Sequence, residues 1–331
     1  MEPLSSTAPA HSPPDTSPLD TSTLRTSVVI CTYTAERLEW LERAVASLLQ
    51  QRQRAFEIIV VVDHAPELLA RLEQKPWPGV TVVANRYGRG LSGARNTGSA
   101  LARGELVGFL DDDAVAEPEW LARLSRWFSD PRVLGAGGYV KPSWREALAQ
   151  GFPPEFLWAL GCSYTGLPER PGPVRNLFGG CMVVRKSVLD TVGGFREGTG
   201  RTATELYGCE ETELCILAQE RIPGGRFIYD PAAVIHHHVP QTRLSATYLW
   251  RRCLGEGRSK ARMRRATRSA LALRSEQRYL LRVLPQAFAG DAARLLKRDR
   301  WAAQRLLLRT VGLGGALFGY ALDTLEARRR R

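Results

Sequence analysis

The N-terminus lacks the pattern of a secretory signal. The first 20 residues, MEPLSSTAPAHSPPDTSPLD, have neither a basic start nor an apolar core, and they are rich in Pro, Ser and Thr. Such a composition cannot bury enough apolar surface to fold alone. We therefore expect no signal peptide, and we expect residues 1–24 to be a disordered leader.

Paired cysteines and long apolar runs are also missing. The six cysteines are scattered without any C-x-x-C pair, which argues against a disulfide framework and a zinc site and favours reduced thiols. No internal repeat and no run of 20 apolar residues is present. The longest weakly polar run, residues 310–322, has about 13 residues, four of them glycines. We expect a helix of this length to be too short to cross a bilayer.

Acidic residues are scarce in the last quarter of the chain. Residues 241–331 hold 22 Lys+Arg and six Asp+Glu, a net charge of +16, whereas residues 1–240 hold 24 and 28, a net charge of −4. This asymmetry predicts an anionic partner for a basic, helical C-terminal region, either lipid or nucleic acid. Few aromatic residues are available there to stack on bases, so nucleic acid is disfavoured.

Within this basic region, residues 310–322 lie between Arg305, Arg309 and the terminal run 328–331. A weakly polar helix between clusters of arginine is typical of an element that lies in the interface of an anionic membrane. A helix that docks on the protein core is the alternative.

What the chain does contain is a series of continuous apolar strands that alternate with helical patterns. This alternation predicts an α/β fold with a mostly parallel sheet covered on both faces. The predicted strands are residues 26–32, 57–62, 80–84, 106–110, 133–140, 176–185, 226–229 and 232–236. The predicted helices are residues 36–51, 92–103 with Ser92 as N-cap, 118–129, 186–192, 205–221, 248–273, 276–288 and 291–310.

Residues 141–173 are predicted to form a long functional loop region, because they are rich in Pro, Gly and aromatic residues without clear periodicity. Trp144, Phe152, Phe156 and Trp158 either line an acceptor site or cover the core.

Three consecutive carboxylates, Asp111, Asp112 and Asp113, follow the apolar strand at 106–110. In α/β folds the chemistry lies outside the carboxyl ends of the strands. Alternate residues of an extended segment point the same way, so Asp111 and Asp113 can face one point while Asp112 faces another. Two hard oxygen ligands suit Mg²⁺ or Mn²⁺, which also bind phosphates. An acidic turn before a helix that starts at Glu117-Pro118 is the alternative.

Four stretches, read together, are similar to the family 2 glycosyltransferases, which have the GT-A fold. They are SVVICTYTAERLEWLERAVASLL, EIIVVVD, GLSGARNTGSALARGELVGFLDDDA and VGGF followed by GCEETELC. The similarity covers residues 25–240, so the predicted organisation is a GT-A-like catalytic domain followed by the helical extension 241–331. It implies an enzyme, of the hexosyltransferase type, that uses a nucleotide-diphosphate sugar such as a UDP- or GDP-sugar.

The resemblance also implies residues that bind the donor. Thr32, Tyr33 and Asp63 fall where the family holds the base and ribose; a carboxylate can accept the imide N–H of uracil, and a tyrosine can stack on a base. Arg95 and Asn96 fall where the family contacts the nucleotide sugar, and the guanidinium of Arg95 suits a diphosphate. For Tyr33 a place in the core is the alternative, and for Arg95 it is an ion pair with a carboxylate at the end of the sheet.

Two departures from the family's pattern affect the choice of base. Thr34 stands where the family often has Asn, and His64 stands where it often has a second Asp. The sequence therefore does not decide which base is bound.

The Asp triplet matches the family's D-x-D metal motif. The resemblance implies that Asp111 faces the ribose or the metal, that Asp112 contacts the nucleotide sugar, and that Asp113 binds Mg²⁺ or Mn²⁺ at the diphosphate. It also favours His237 as a third ligand, and a neutral imidazole is a plausible ligand beside two carboxylates. If the run of three histidines is extended, His236 and His238 face away from the side that His237 faces.

Glu210, Glu211 and Glu213 lie on one predicted helix. Glu211 falls at the position of the family's catalytic base, where relatives carry Asp, and Glu210 is the second choice. An inverting transfer needs one carboxylate to accept the proton of the attacking hydroxyl. An exposed acidic helix face is the alternative for the cluster.

The basic C-terminal region bears on the partners. A protein held at the inner face of the cell membrane could act on a polyprenyl phosphate, a lipid-linked saccharide or a growing surface polysaccharide, and we expect a cytoplasmic, peripheral enzyme. A soluble acceptor stays open. The competing functions are a nucleotidyltransferase, whose usual Gly-rich basic loop is missing after the first strand, and a basic protein that binds nucleic acid or membrane.

Overall fold

A computed structural model describes residues 24–75, 77–144, 150–198, 208–267 and 274–329. The predicted leader, apart from its last residue, and the ends of the helices predicted over 205–221 and 248–273 lie outside these ranges. The described strands are β1 (Thr26–Thr32), β2 (Glu57–Val62), β3 (Val80–Ala84), β4 (Leu106–Asp111), β5 (Ala114–Ala116), β6 (Val133–Ser143), β7 (Gly172–Val174), β8 (Cys181–Arg185) and β9 (Arg226–His238).

The described helices flank this sheet or follow it in the chain. They are α1 (Leu38–Leu49), α2 (Pro66–Glu73), α3 (Leu91–Leu101), α4 (Trp120–Ser125), α5 (Lys186–Val192), α6 (Glu210–Arg221), α7 (Ala246–Thr267), α8 (Arg274–Arg278), α9 (Leu284–Leu296) and α10 (Ala302–Arg329). Short 3₁₀ turns cover Ala35–Arg37, Arg126–Ser129, Pro154–Leu160 and Gln241–Leu244, and a π-helical turn covers Tyr279–Val283.

The strands form one curled, mixed sheet in the order β3-β2-β1-β4-β8-β6-β9-β5, with β7 beside β9. The first four strands are parallel, and β8 runs antiparallel to both β4 and β6. The predicted α/β fold with a helical C-terminal extension is confirmed. The carboxyl ends of β1, β2 and β4 meet at one edge, where the site residues lie.

Both faces of the sheet are covered, as the continuous apolar strands predict. Along β1, Val28 and Ile30 pack into one buried cluster with α1, α2 and α4, whereas Val29 packs into a second cluster with α3, α5 and α6. Alternate side chains of a strand point to opposite faces, so a strand buried on both sides must be apolar throughout.

Several local predictions were wrong, among them the strand predicted over 176–185, which begins only at Cys181. The chain forms α2, which was not predicted, because Leu68 and Leu72 give this short segment a buried apolar side. Ser92 is not an N-cap: α3 begins at Leu91 after Gly90, which has a φ of 122° and carries no side chain that could cap. The strands predicted on either side of Asp230 form one strand, β9, whose register shifts within its pairing to β6.

The C-terminal region has different helix ends from those predicted. The helix predicted over 291–310 is two helices, and the second of them, α10, has 28 residues. By length and composition α10 is apolar enough to cross a membrane, contrary to the expectation from the sequence, although core helices of soluble proteins meet the same criterion. It packs along α7 at a distance that only glycine allows, since a Cβ at Gly319 would lie 2.2 Å from the carbonyl oxygen of Leu254.

Arg305 and Arg309 do not face a membrane, so that part of the prediction was wrong. Both are buried, and both pair with the buried Asp291. Arg309 also places its Nε 3.0 Å from Glu155 Oε2. These pairs fasten α9 and α10 to the 3₁₀ turn Pro154–Leu160.

The four aromatic residues that were singled out in the long loop region all pack in or against the core. Phe152 and Phe156 are buried in the core, and Phe156 lies directly against Gly312 of α10. Trp144 and Trp158 are half-buried and pack against the same core. Covering the core therefore accounts for Phe152 and Phe156.

Candidate active site

The Asp triplet lies where the sequence predicts, at the carboxyl end of β4. Asp111 is the last residue of β4, and β5 begins directly after Asp113. Because β5 pairs antiparallel with β9, with Ala114 opposite His237, the histidine run is brought beside the triplet. The N–H of His238 donates to the carbonyl oxygen of Asp113 at 2.8 Å. The pairing of the short strand β5 with the end of β9 thus assembles residues that are over 120 positions apart in the chain.

The three histidines have different partners. Because β9 is extended, only His237 points towards the triplet, with Nε2 3.2 Å from Asp113 Oδ1. His236 places its Nε2 3.0 Å from Glu117 Oε1, and His238 stacks on Trp40 with ring centroids 3.9 Å apart. The sequence left open which histidine lies nearest the triplet. The alternation of side chains along the extended β9 makes it His237.

Asp111, Asp113 and His237 form a donor set that can hold a metal ion. One ligand atom of each lies within 4.8 Å of the others. Two carboxylate oxygens and one imidazole nitrogen suit Mn²⁺ and are compatible with Mg²⁺. Asp113 and His237 are buried, whereas the side chain of Asp111 is 39% exposed. A ligand would therefore approach a bound ion from the side of Asp111.

The charges of the two buried ligands are coupled. Burial alone would lower the pKa of His237, but the adjacent Asp113 carboxylate outweighs it and raises the pKa to about 10. Burial would raise the pKa of Asp113, but His237 and Arg37 hold it well below its usual range. A cation at this position would therefore displace a proton from His237, as is usual for imidazole ligands.

Arg37 is a site residue that sequence reasoning missed. Its Nη1 lies 2.8 Å from Asp112 Oδ1 and 3.2 Å from Asp113 Oδ2. Its guanidinium also lies 5.5 Å from the ring centroid of Tyr33. Burial raises the pKa of Asp112 to about 6, and Arg37 partly opposes that effect. Asp112 therefore holds Arg37 in place, and its predicted contact with the nucleotide sugar stays a prediction.

The predicted base and ribose contacts lie at the ends of β1 and β2. Thr32 is buried, whereas Tyr33 is 47% exposed, so Tyr33 is not a core aromatic residue. The carboxylate of Asp63 accepts hydrogen bonds from Asn85 Nδ2 at 2.7 Å and from the N–H of Gly90 at 2.9 Å. Asp63 is therefore oriented by the loop that leads into α3, and Asn85 is a second residue that the sequence analysis missed.

Arg95 connects the triplet with the acidic helix. It is buried, with Nη1 3.1 Å from Glu210 Oε1 and Nη2 3.6 Å from Asp111 Oδ1. The ion pair named as the alternative for Arg95 is therefore present. The neighbouring Asn96 uses both polar groups of its amide to bind the backbone of Phe195, each at 2.8 Å, so this geometry does not support its predicted contact with the donor.

The three glutamates of α6 have different surroundings. Glu210 pairs with Arg95, and Glu213 pairs with Arg196 at 3.0 Å. Among the described residues, Glu211 has no ion pair within 4.0 Å. Burial and the charge of Glu210 raise the pKa of Glu211 to about 7, against the opposing charge of Arg95. A carboxylate with a pKa near neutrality is suited to accept a proton at physiological pH.

The chain is similar in sequence to known glycosyltransferases. The sequence model of Glycosyl transferase family 2 matches residues 27–193. A glucosyl-dolichyl phosphate glucuronosyltransferase of Haloferax volcanii is 34% identical over 237 residues, which cover 71% of this chain and 75% of the relative. The succinoglycan biosynthesis protein ExoM of Rhizobium meliloti is 25% identical over 88% of this chain and 91% of its own.

Solved structures share the fold. The mannosyltransferase PcManGT from Pyrobaculum calidifontis, in complex with GDP-Man and Mn²⁺, superposes with a TM-score of 0.58 at 21% identity, covering 91% of this chain and 87% of that one. GalNAc-T7 with UDP, GalNAc and Mn²⁺ gives a TM-score of 0.51 at 18% identity, covering 70% and 47%. Both likenesses concern the fold alone.

Proposed function

The chain belongs to glycosyl transferase family 2, and from this membership we propose that it moves a sugar from a nucleotide-diphosphate sugar to a hydroxyl or phosphate oxygen of an acceptor, as a hexosyltransferase. The observation that carries the proposal is the convergence of a metal-type donor set, Asp111, Asp113 and His237, with Arg95 and the acidic start of α6. The site thus combines groups that can stabilise a charged leaving group with a carboxylate that can act as a base.

Asp111, Asp113 and His237 would hold Mg²⁺ or Mn²⁺. When bound, the ion supplies positive charge that stabilises the leaving diphosphate. Arg37 and Arg95 place two further guanidinium groups beside the same carboxylates. Beside a bound ion, these two guanidinium groups would add positive charge where the diphosphate separates from the anomeric carbon.

Glu211 is proposed as the general base. It takes the proton of the acceptor hydroxyl while that oxygen attacks the anomeric carbon, and the diphosphate leaves from the opposite face, so the configuration inverts. Glu210 is the second choice, but its Oε1 is held by Arg95, which makes it a better orienting residue than base.

The donor is proposed to be a UDP- or GDP-sugar. Tyr33 is exposed at the end of β1, available to stack on a base, and Asp63 is fixed at the end of β2. The named ligands of the two structural neighbours, GDP-Man and UDP, span both alternatives.

A membrane surface is proposed as the partner of the C-terminal region, at the cytoplasmic face. In the described part of residues 241–329, each acidic side chain is buried or half-buried and ion-paired; these are Glu256, Glu276, Asp291, Asp299, Asp323 and Glu326. The exposed basic side chains include Arg251, Arg278, Arg282, Lys297, Arg298, Arg300, Arg328 and Arg329. The outer surface of this region is therefore strongly cationic, which favours anionic lipid.

An apolar stripe runs through the same surface. Leu307, Phe318 and Leu325 lie on one face of α10, and all three are exposed, as is the adjacent Leu317. A cationic surface with exposed leucines is typical of an interfacial helix. This arrangement supports a lipid-linked acceptor, and the Haloferax volcanii relative is named for such a substrate.

The proposal is tested by incubating the protein with UDP- and GDP-sugars, with Mn²⁺, Mg²⁺ or a chelator, and with saccharide or polyprenyl-phosphate acceptors. We expect release of one nucleoside diphosphate, only with metal, and a product whose anomeric configuration by NMR is opposite to that of the donor. Failure to release either diphosphate under any condition would contradict the proposed activity, and a retained configuration would contradict Glu211 as the base of a single displacement.

A further inference from the structure

The turn that precedes the acidic start of α6 is fastened from the C-terminal extension. The N–H of Gly208 donates to Ser259 Oγ of α7 at 3.2 Å. The thiol of Cys209 lies 3.3 Å from Glu256 Oε1, one helical turn earlier on α7. Two neighbouring residues of the turn are thus each bound to a different side chain of α7, directly before Glu210.

The backbone of this turn is strained. Cys209 has a φ of 78°, in the left-handed region that side chains with a Cβ rarely adopt. Its carbonyl oxygen accepts the N–H of Glu213 at 2.8 Å, so this conformation starts the hydrogen-bond ladder of α6. Such a conformation persists only where its surroundings determine it, and among the described residues these include Glu256 and Ser259, together with Ile216 and Met263, which pack with Cys209.

The protonation states of Cys209 and Glu256 show which of the two groups donates the hydrogen bond. The thiol is buried, and burial raises its pKa well above the usual range, so the sulfur keeps its proton and acts as donor. Glu256 is the acceptor, because Arg252 and Lys260 hold its pKa at about 2 in spite of burial. A thiol is a weak donor, and its hydrogen bond is stronger to a carboxylate than to a neutral acceptor.

Glu256 itself is held rigidly. Arg252 Nη1 lies 2.9 Å from its Oε2, and Lys260 Nζ lies 3.5 Å from its Oε1. Lys260 also pairs with Glu276 at 2.7 Å, and Glu276 pairs with Arg175. The contact to Cys209 is therefore the end of an ion-pair chain that joins α7, α8 and the catalytic domain.

We infer that Glu256 and Ser259 of the C-terminal extension are positioning residues for the general base: they hold the strained turn at Cys209, and through it they aim the carboxylate of Glu211. This inference rests on the proposed function. It assigns the extension a part in catalysis that is separate from docking on a membrane. A carboxylate displaced by about 1 Å costs on the order of 10²-fold in rate, so a loosened turn is expected to lower turnover without affecting the donor site.

The test compares Glu256→Ala, Ser259→Ala and the double variant Cys209→Gly/Glu256→Ala with wild type. In Glu256→Ala we expect kcat for donor cleavage to fall about tenfold or more, while the donor KM and the metal-dependent nucleotide affinity stay within about twofold. Glycine adopts a φ of 78° without strain, so Cys209→Gly is expected to restore much of the lost kcat in the double variant. Ser259→Ala is expected to show a smaller fall in kcat, again with donor KM and nucleotide affinity unchanged.

Glu326→Ala is the matched control, because Glu326 also ends an ion pair with α7, through Arg258, but makes no contact with the turn. It should keep the kcat of wild type. If Glu256→Ala does not fold, as judged by thermal unfolding and nucleotide binding, Ser259→Ala decides the question.

The inference is overturned if the folded variants keep wild-type kcat, if kcat and nucleotide affinity fall together, or if glycine at position 209 restores nothing. These outcomes are distinct from a failure of the proposed function. In that case wild type itself would neither bind a nucleotide with metal nor release one from a donor.

Discussion

The carboxylates of the site differ in their partners, and this difference assigns their roles. Asp112 and Asp113 face Arg37, and Glu210 faces Arg95, so their charges are already balanced. The pKa of Asp112 is raised all the same, to about 6, but Asp112 is held by Arg37, whereas within the described residues Glu211 has no such partner and has a pKa raised to about 7. The residue that remains free to exchange a proton is therefore the candidate base.

Replacing Glu211 by Gln tests this role. The change keeps the size of the side chain but removes the proton acceptor, so we expect kcat to fall by about 10²-fold or more, with donor binding retained. Turnover is measured as nucleoside diphosphate release, and binding by calorimetry. Glu213→Gln, on the same helix but paired with Arg196, is the control and should stay near wild type. Equal losses in both variants would remove Glu211 from its proposed role.

The pH profile gives a second prediction. A base must be deprotonated, so kcat is expected to fall as the pH drops through about 7, the raised pKa of Glu211. Burial and the charge of Glu210 cause that rise, so Glu210→Gln should move the acidic limb of the profile to lower pH. An acidic limb that Glu210→Gln leaves in place would show that another group titrates.

Single residues also show where sequence reasoning reaches its limit. The Asp triplet and Glu211 were identified from motifs, and the alternation of a strand singled out the side of His237. Arg37 was missed because its contact with Asp112 joins residues 75 positions apart, and no local pattern marks it. Asn96 shows that a residue can lie in a motif and still have a structural partner: its amide binds the backbone of Phe195, which its position in the motif does not reveal.

Among the elements, strands were predicted more closely than helices. Continuous apolar runs with sharp ends gave β1, β2 and β3 their exact bounds. The helices of the extension were harder to predict, because their buried faces contain Gly and paired Arg instead of a regular apolar stripe. The break between α9 and α10 contains Arg298, which has a φ of 61°, and no Gly or Pro marks it in the sequence.

The packing of α10 on α7 yields a stability prediction. A Cβ at Gly319 would lie 2.2 Å from the carbonyl oxygen of Leu254, whereas a Cβ at Gly314 would meet only a ring atom of Trp250 at 3.6 Å. We expect Gly319→Ala to lower the free energy of unfolding by about 1–3 kcal/mol, since the helices must separate. Gly314→Ala is the control, neutral or stabilising by up to about 1 kcal/mol, because alanine favours a helix.

Denaturant unfolding followed by circular dichroism measures both variants. If Gly319→Ala proved as stable as Gly314→Ala, α7 and α10 would not be packed as closely as described. The predicted domain boundaries at residues 24 and 240 stay predictions. The contacts of α7 and α10 with the catalytic part show only that the extension is docked on it.

For the molecule as a whole, the charge asymmetry of the sequence indicated a cationic region but not its surface. Which basic side chains are exposed depends on their ion pairs. Arg305 and Arg309 are buried in ion pairs with Asp291, whereas Lys297, Arg298 and Arg300 are exposed nearby in the chain. Each of the six carboxylates of the region is paired with a cation, so none of them stands unpaired among the exposed arginines and lysines of its surface.

Vesicle binding tests the proposed membrane surface. We expect binding to vesicles that contain anionic lipid, weak binding to neutral vesicles, and a loss with added salt, because each exposed cation contributes about 1 kcal/mol or less at a charged surface. Replacing Leu307, Leu317 and Leu325 together by Ser should weaken binding, whereas Leu49→Ser, an exposed leucine on α1, should not. Equal affinity for neutral vesicles, or stronger binding to RNA than to lipid, would contradict the proposal.

The central claim is that Asp111, Asp113 and His237 bind a divalent ion together with a nucleotide diphosphate. Calorimetric titration with UDP and GDP, with and without Mn²⁺, tests it directly in wild type, in Asp113→Asn and in the remote control Asp130→Asn. We predict that wild type and Asp130→Asn bind one nucleotide only when Mn²⁺ is present, and that Asp113→Asn loses this binding. Binding that is independent of Mn²⁺, or that survives in Asp113→Asn, would contradict the account.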